Sequence, residues 1–399
     1  MDNHNSADLY VGKFEPSQRL KTIAFAFVAI GVIGFLVGLM KNQERLWTSY
    51  LVAFFFATCM GLGGLFWAAV QNLSKAGWSV SIRRLSEGMG SFIPMILVGG
   101  VVLLGGVKVL FPWANPEVVA HDPMVAAKTA YLNVGFLVVR LVVFGLLMIF
   151  FARKIIGNSV KQDKTGDHEL THKNVAWSIA WVIVFALSFS LFSVDLMMSL
   201  LPSWYSTIFG IYCFAGLFQG SLALLVLMII YVRKSGFVRG YINDEHMHDV
   251  AKFTKGFTVF WAYIAFCQFM LIWYANIPEE TEYFIIRATQ GWMGISMALL
   301  IFKFIVPFMA LLPRAAKRNQ KHLVVICSMI LIMEYADVYW MVYPNFFENH
   351  VTFGFYEIAM LLLFAGIFML TMMRFFQKNS LVAIKDPRMH EALSHHVTY

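Results

Sequence analysis

Ten long apolar runs, each cut off by polar residues, dominate the pattern along the chain. They fall at about 22–40, 47–71, 91–112, 130–151, 175–200, 204–231, 256–277, 291–312, 322–343 and 353–375. An α-helix rises 1.5 Å per residue, so about 20 apolar residues cross the hydrocarbon core of a bilayer. The pattern therefore predicts an all-α polytopic membrane protein of ten transmembrane helices, a single integral membrane domain over residues 1–399. None of the polar connections is long enough for a soluble domain; the longest internal ones are 113–129, 152–174 and 232–255. Residues 1–21 form an N-terminal segment and 376–399 a C-terminal tail. The first apolar run carries no small-residue cleavage site, which favours a retained helix over a removed signal peptide.

Composition agrees with this reading. The chain is 59% hydrophobic and 14% charged, against about 45–50% and 25% for soluble globular proteins. Its formal charge of +8 does not point to nucleic acid, because the cations sit in the loops between apolar runs. Of the 31 Lys and Arg, 24 fall on the side of the N-terminus and four, Lys41, Arg45, Lys128 and Arg287, on the other. The asymmetry predicts that both termini face the cytoplasm, and its clean alternation supports an even number of helices.

Small residues mark places where helices approach closely. Gly34 and Gly38 form a GxxxG in the first helix, Gly216 and Gly220 another in the sixth. Either could serve packing within the chain or a subunit interface. Tyr50 ahead of Cys59-Met60-Gly61 in the second helix, and Tyr212, Cys213 and Gly216 in the sixth, hint at an internal repeat.

Candidate chemistry lies in the few ionisable residues within the apolar runs: Lys108, Arg140, Asp195, Lys303, Glu334, Asp337 and Glu357. The centre of interest is Ile330–Tyr343, which carries Glu334 and Asp337 three residues apart and hence on one helix face. A charged, unpaired carboxylate at mid-bilayer costs at least a few kcal/mol, and such residues usually mark ion or proton routes. Arg140, Lys303 and Glu334 are expected near mid-membrane, with Asp337 one turn further out. Arg140 or Lys303 should pair with Glu334 and Asp337 inside a bundle. Lys108, Asp195 and Glu357 should lie near the outer surface, where Lys108 can snorkel to the headgroups. Ser178, Ser188, Ser190 and Ser193 lead toward Asp195; they could order a chain of water or bond their own backbone. Gln219 and Gln268 are further polar points for a path.

The remaining chemistry is sparse. No histidine falls at mid-helix, which argues against a bis-histidine haem and against oxidase-type copper or iron sites. Cys59, Cys213, Cys267 and Cys327 stand alone and read as packing residues, so no metal or cofactor site and no catalytic residue is expected in this chain. Outer-end aromatics such as Trp204, Trp273, Trp340 and Tyr343 fit an interfacial belt, though some could floor a quinone pocket or dock an outer subunit.

Three stretches carry a resemblance: YLVAFFFATCMGLGGLFWAAVQ (Tyr50–Gln71), AGWSVSIRRLSEGM (Ala76–Met89) and EYADVYWMVYP (Glu334–Pro344). The most specific part is Trp78, Arg83, Arg84 and Glu87. With the whole-chain layout, these resemble the NrfD/PsrC family of quinone-linked membrane subunits, most closely the F-type subunits of bacterial alternative complex III. The resemblance implies two four-helix bundles, helices 2–5 and 6–9, with helices 1 and 10 peripheral. It implies a multi-pass subunit of the bacterial cytoplasmic membrane, within a complex that oxidises quinol. Iron–sulfur clusters and c-type haems would belong to partners: an iron–sulfur subunit, multihaem and monohaem cytochrome c subunits, a paralogous quinol-binding membrane subunit, and in some assemblies a terminal oxidase. Lipid surrounds the chain. This subunit would itself hold no cofactor, support the complex and contribute part of a proton path through the ionisable residues above. Two other classes stay open: a quinone-binding redox subunit in its own right, and a free-standing transporter. For the latter the interrupting residues are mainly Pro94 and Pro307.

Overall fold

The structure is a computed structural model that describes residues 9–289, 291–348 and 350–396. His4, residues 1–8 of the N-terminal segment and 397–399 of the tail lie outside the described residues. Ten helices are long and apolar enough to cross a membrane. In order, these spans are Gln18–Lys41, Gln43–Leu73, Gly77–Leu110, Val134–Thr165, Glu169–Leu200, Phe209–Ser235, Asp244–Ala275, Trp292–Ala310, Gln320–Asn345 and Phe355–Lys378. The chain is an all-α polytopic membrane protein.

Several boundaries overrun the apolar runs. The fourth span continues through polar residues to Thr165 and stops only where Gly166 takes a left-handed φ of 71°. The seventh begins at Asp244, capped by Asn243, whose side chain accepts from the backbone N–H of Glu245 and His246. Hydropathy marks the part of a helix that lies in lipid, whereas caps decide where the helix ends. Two spans are irregular inside. The third turns at 91–93 before Pro94 resumes a helix. The eighth is wound as a π-helix over Leu299–Ile305, just ahead of Pro307. A short helix, Pro278–Arg287, lies outside the ten spans, between the seventh and eighth.

The second and sixth spans form the centre, with 89% and 83% of their apolar windows buried, against 22% for the first and 17% for the eighth. Span two packs on three, three on four, four on five, and five returns to two; six, seven, eight and nine close in the same way. The two sets meet where span two packs on six and nine and span five on six, while the first and tenth spans pack on each other and the tenth on the second. Gly34 settles what the first GxxxG does: a Cβ there would sit 2.4 Å from Cβ of Ala359, so the glycine serves packing within the chain. Large apolar side chains such as Phe25, Ile183, Leu187 and Phe266 stand exposed around the perimeter, as lipid-facing positions do.

The first and last described segments reach the same end of the bundle. Tyr10–Val11 pairs antiparallel with Val238–Arg239, in the connection after the sixth span. The tail folds back under the third, fourth and seventh spans, with Leu381, Val382, Ala383 and Ala392 buried. This is the end that carries most of the Lys and Arg.

Candidate functional site

The ninth span turns Glu334 and Asp337 inward, toward the eighth. Lys303 comes from the π-wound stretch of the eighth span, a feature often found at functional positions. Its ammonium lies 2.6 Å from Glu334 Oε2 and also bonds Asp337 Oδ2. None of the three side chains is more than 3% exposed. Asp337 is held further: Tyr212 Oη donates to Oδ1 at 2.5 Å and Trp261 Nε1 to Oδ2 at 3.0 Å. The Lys303 ammonium also sits 4.4 Å over the Trp261 ring, a cation–π contact.

Glu334 is treated differently. Among the described residues its only polar partner is Lys303. It occupies a notch in the sixth span. A Cβ on Gly216 would lie 2.8 Å from Glu334 Oε1, and one on Gly220 3.0 Å from its Cγ. The second GxxxG therefore makes room for a buried carboxylate. Ionised, the triad holds two negative charges and one positive. In a medium that screens poorly, one added proton brings the group to neutrality.

The other sequence candidates pair elsewhere. Arg140 does not reach Glu334 or Asp337. It bonds Asp195 Oδ2 at 2.8 Å and the Tyr131 carbonyl at 3.0 Å, with its guanidinium 4.0 Å over the Tyr131 ring. The fourth span starts at Val134 and runs on to Thr165, which places Arg140 within two turns of the Val134 end of that helix. Glu357 is closed in a clasp. It accepts from Arg45 Nε at 2.7 Å and Nη2 at 2.8 Å, from Tyr343 Oη at 2.5 Å and from the Gly354 N–H at 2.7 Å. Lys108 is exposed on the third span and makes no ion pair among the described residues. Ser188, Ser190 and Ser193 donate to the carbonyls of Val184, Ala186 and Phe189, so these hydroxyls serve their own helix. Gln219 joins the triad region by donating to the Lys303 carbonyl at 3.0 Å, and Gln268 accepts from Ser206 at 3.1 Å.

Two groups counted as loop cations are buried. Arg83 and Arg84 lie inside the third span, because that span starts at Gly77. Arg83 bonds Asp386 of the tail at 2.6 Å, Arg84 bonds Asp163 at 2.6 Å, and both flank Glu87, at 3.4 and 3.3 Å. Burial alone would push the Asp386 carboxyl up. The Arg83 guanidinium, the backbone N–H of Arg388 and the Arg388 charge outweigh burial and hold it below its usual range. Arg287 is also buried; it donates to the carbonyls of Trp340 at 3.1 Å and Met341 at 2.7 Å and so caps the end of the ninth helix. The motif spacing of Arg83, Arg84 and Glu87 was a usable signal, but nothing local marks Asp386 or Asp163 as partners.

Between the seventh and eighth spans lies a groove of about 730 Å³. Phe266, Met297 and Leu300 line it, together with Gln268 and with Tyr212 and Trp261, the two donors to Asp337. Among the described residues no three His, Cys, Asp or Glu side chains group as metal ligands. The arrangement is thus suited to holding or passing a proton, next to a groove open to apolar molecules. Comparison with family models and with curated proteins finds no match to the chain.

Proposed function

We propose that this chain is a membrane subunit of a quinol-oxidising respiratory complex of the alternative complex III type, in the bacterial cytoplasmic membrane with both termini inside. Its own task is to support the complex and to carry part of a proton path through Glu334. The redox groups, iron–sulfur clusters and c-type haems, belong to partner subunits. One observation carries the proton role: a fully buried Lys303 shared by two carboxylates, of which Asp337 is tied by Tyr212 and Trp261 while Glu334 has only the lysine among the described residues. Glu334 is the member free to change partner. Taking up a proton releases it from Lys303; giving it up restores the pair. The assignment to a complex rests on the Tyr50–Gln71, Ala76–Met89 and Glu334–Pro344 stretches.

Glu334→Gln tests the proton role. The carboxamide keeps the shape and cannot ionise, so protons moved per electron should fall while assembly persists. An unchanged ratio in a normally assembled complex removes Glu334 from the path.

The groove beside the triad favours a second reading, a quinone site in this chain itself. Its size suits a lipid-soluble ring compound, and Tyr212 and Trp261 connect it to Asp337. Photolabelling with a quinone analogue should then mark Met297 or Phe266 in the groove wall. Label found only on partner subunits excludes this reading. Recovery of the chain from mild detergent without haem-bearing partners would favour the free-standing transporter.

A further inference from the structure

We propose that a file of water on the inward face of the seventh span feeds Glu334 from the basic end of the bundle, with His395 and Asp249 as its mouth. This rests on the proton role of Glu334 proposed above.

At the mouth, His395 of the tail bonds Asp249 through Nε2 at 2.8 Å, and its ring stacks on Trp78 at 5.5 Å. Asp249 is buried but within reach of His248 and Lys252, at 3.3 and 3.4 Å. Trp78 leads to Trp67, 6.1 Å away between ring centres, and Trp67 packs on Phe253 of the seventh span at 5.2 Å. Trp67 is 1% exposed, and its indole Nε1 is buried with no hydrogen-bond partner among the described residues.

Further along the same span stand Thr254 and Thr258, four residues apart and so on one face, both fully buried. Each hydroxyl donates to the carbonyl four residues before it, which leaves its oxygen able to accept from water. Gln219 donates through Nε2 to Thr258 Oγ1 and to the Lys303 carbonyl, each at 3.0 Å. Its Oε1 is buried without a partner. The next residue, Gly220, forms the notch for Glu334.

Two polar atoms are therefore stranded at two levels between the partly exposed His395–Asp249 pair and the buried Glu334 carboxylate. An unsatisfied buried donor or acceptor costs about 1–3 kcal/mol. Buried polar atoms in proteins are almost always satisfied, by protein or by ordered water, and here the described residues offer no partner. In the proposed file, water bridges Trp67 Nε1, the threonine hydroxyls and Gln219 Oε1 and so satisfies both stranded atoms. A proton accepted by the His395–Asp249 pair is matched by one delivered to the Glu334 carboxylate. No electron moves and no bond between heavy atoms changes.

Hydroxyl-radical footprinting in native membranes tests whether the column is wet. Radicals form from water, so Trp67 should oxidise severalfold faster than Trp292, which is equally buried and whose Nε1 donates to the Phe347 carbonyl. Equal protection of the two indoles overturns the inference. His395→Ala, a change in the tail that spares the helical core, and Thr258→Val test the route. Each should slow proton uptake severalfold in the assembled complex. If both leave uptake unchanged while Glu334→Gln abolishes it, Glu334 is fed from elsewhere and the file is wrong. If Glu334→Gln itself has no effect, the proton role fails, and with it the destination of the file, whatever the footprint shows.

Discussion

Lys303→Met should destabilise this protein more than any other single change in spans six to nine. The substitution fills the volume of the lysine stem but leaves Glu334 and Asp337 facing each other with no cation and almost no exposure. Removing one partner of a buried ion pair costs about 3–5 kcal/mol, and here two like charges remain. Folded, monodisperse protein extracted from membranes should drop sharply, and its thermal midpoint with it. The cause can be separated from lost packing: Lys303→Met combined with Glu334→Gln and Asp337→Asn removes the charge altogether and should recover much of the loss. A single variant as stable as the parent would show that the triad is not held by its charges, and a proton switch built on their pairing would then have no basis.

Arg83→Leu should release the C-terminal tail. Asp386 and Glu87 would be left buried with a cation missing, again a cost of about 3–5 kcal/mol by the same reasoning. The tail can detach more readily than the third span, because its only regular element among the described residues is the short helix Met389–Leu393, whereas the third span is packed against the second and the fourth. Limited trypsin digestion should cut after Arg388 in the variant and not in the parent, where Asp386 and Met389 on either side are buried. Acid should act in the same direction. The Asp386 carboxyl is held below its usual range in the folded state, so its contribution is present at neutral pH and is lost as the pH falls below about 4. Protection of Arg388 that survives both Arg83→Leu and mild acid would mean that apolar contacts through Leu381, Val382 and Ala383 hold the tail unaided.

The Arg45–Glu357 clasp and the Arg140–Asp195 pair show the same economy as the triad. Each buried carboxylate has a cation within 3 Å, and each pair is supported by a tyrosine, Tyr343 in one and Tyr131 in the other. These two are well satisfied and lie near the ends of their spans. The triad differs in having one carboxylate too many, and that imbalance, rather than burial, singles it out.

The number of spans, their order and the uneven placement of Lys and Arg were all legible in the residues, because apolar length is a local property that each helix meets alone. So was the presence of Glu334, Asp337 and Lys303 near the middle of long apolar runs. Which cation meets which carboxylate was not. Arg140 and Lys303 look alike in sequence, and only the start of the fourth span at Val134 puts one near a helix end while the π-turn in the eighth carries the other to Glu334. Nothing in the sequence of the tail showed where it would lie, yet it folds under the bundle, where Asp386 pairs with buried Arg83. Partners of buried charges are chosen by helix rotation, depth and close approach, which depend on every neighbour at once. No window of sequence contains that information.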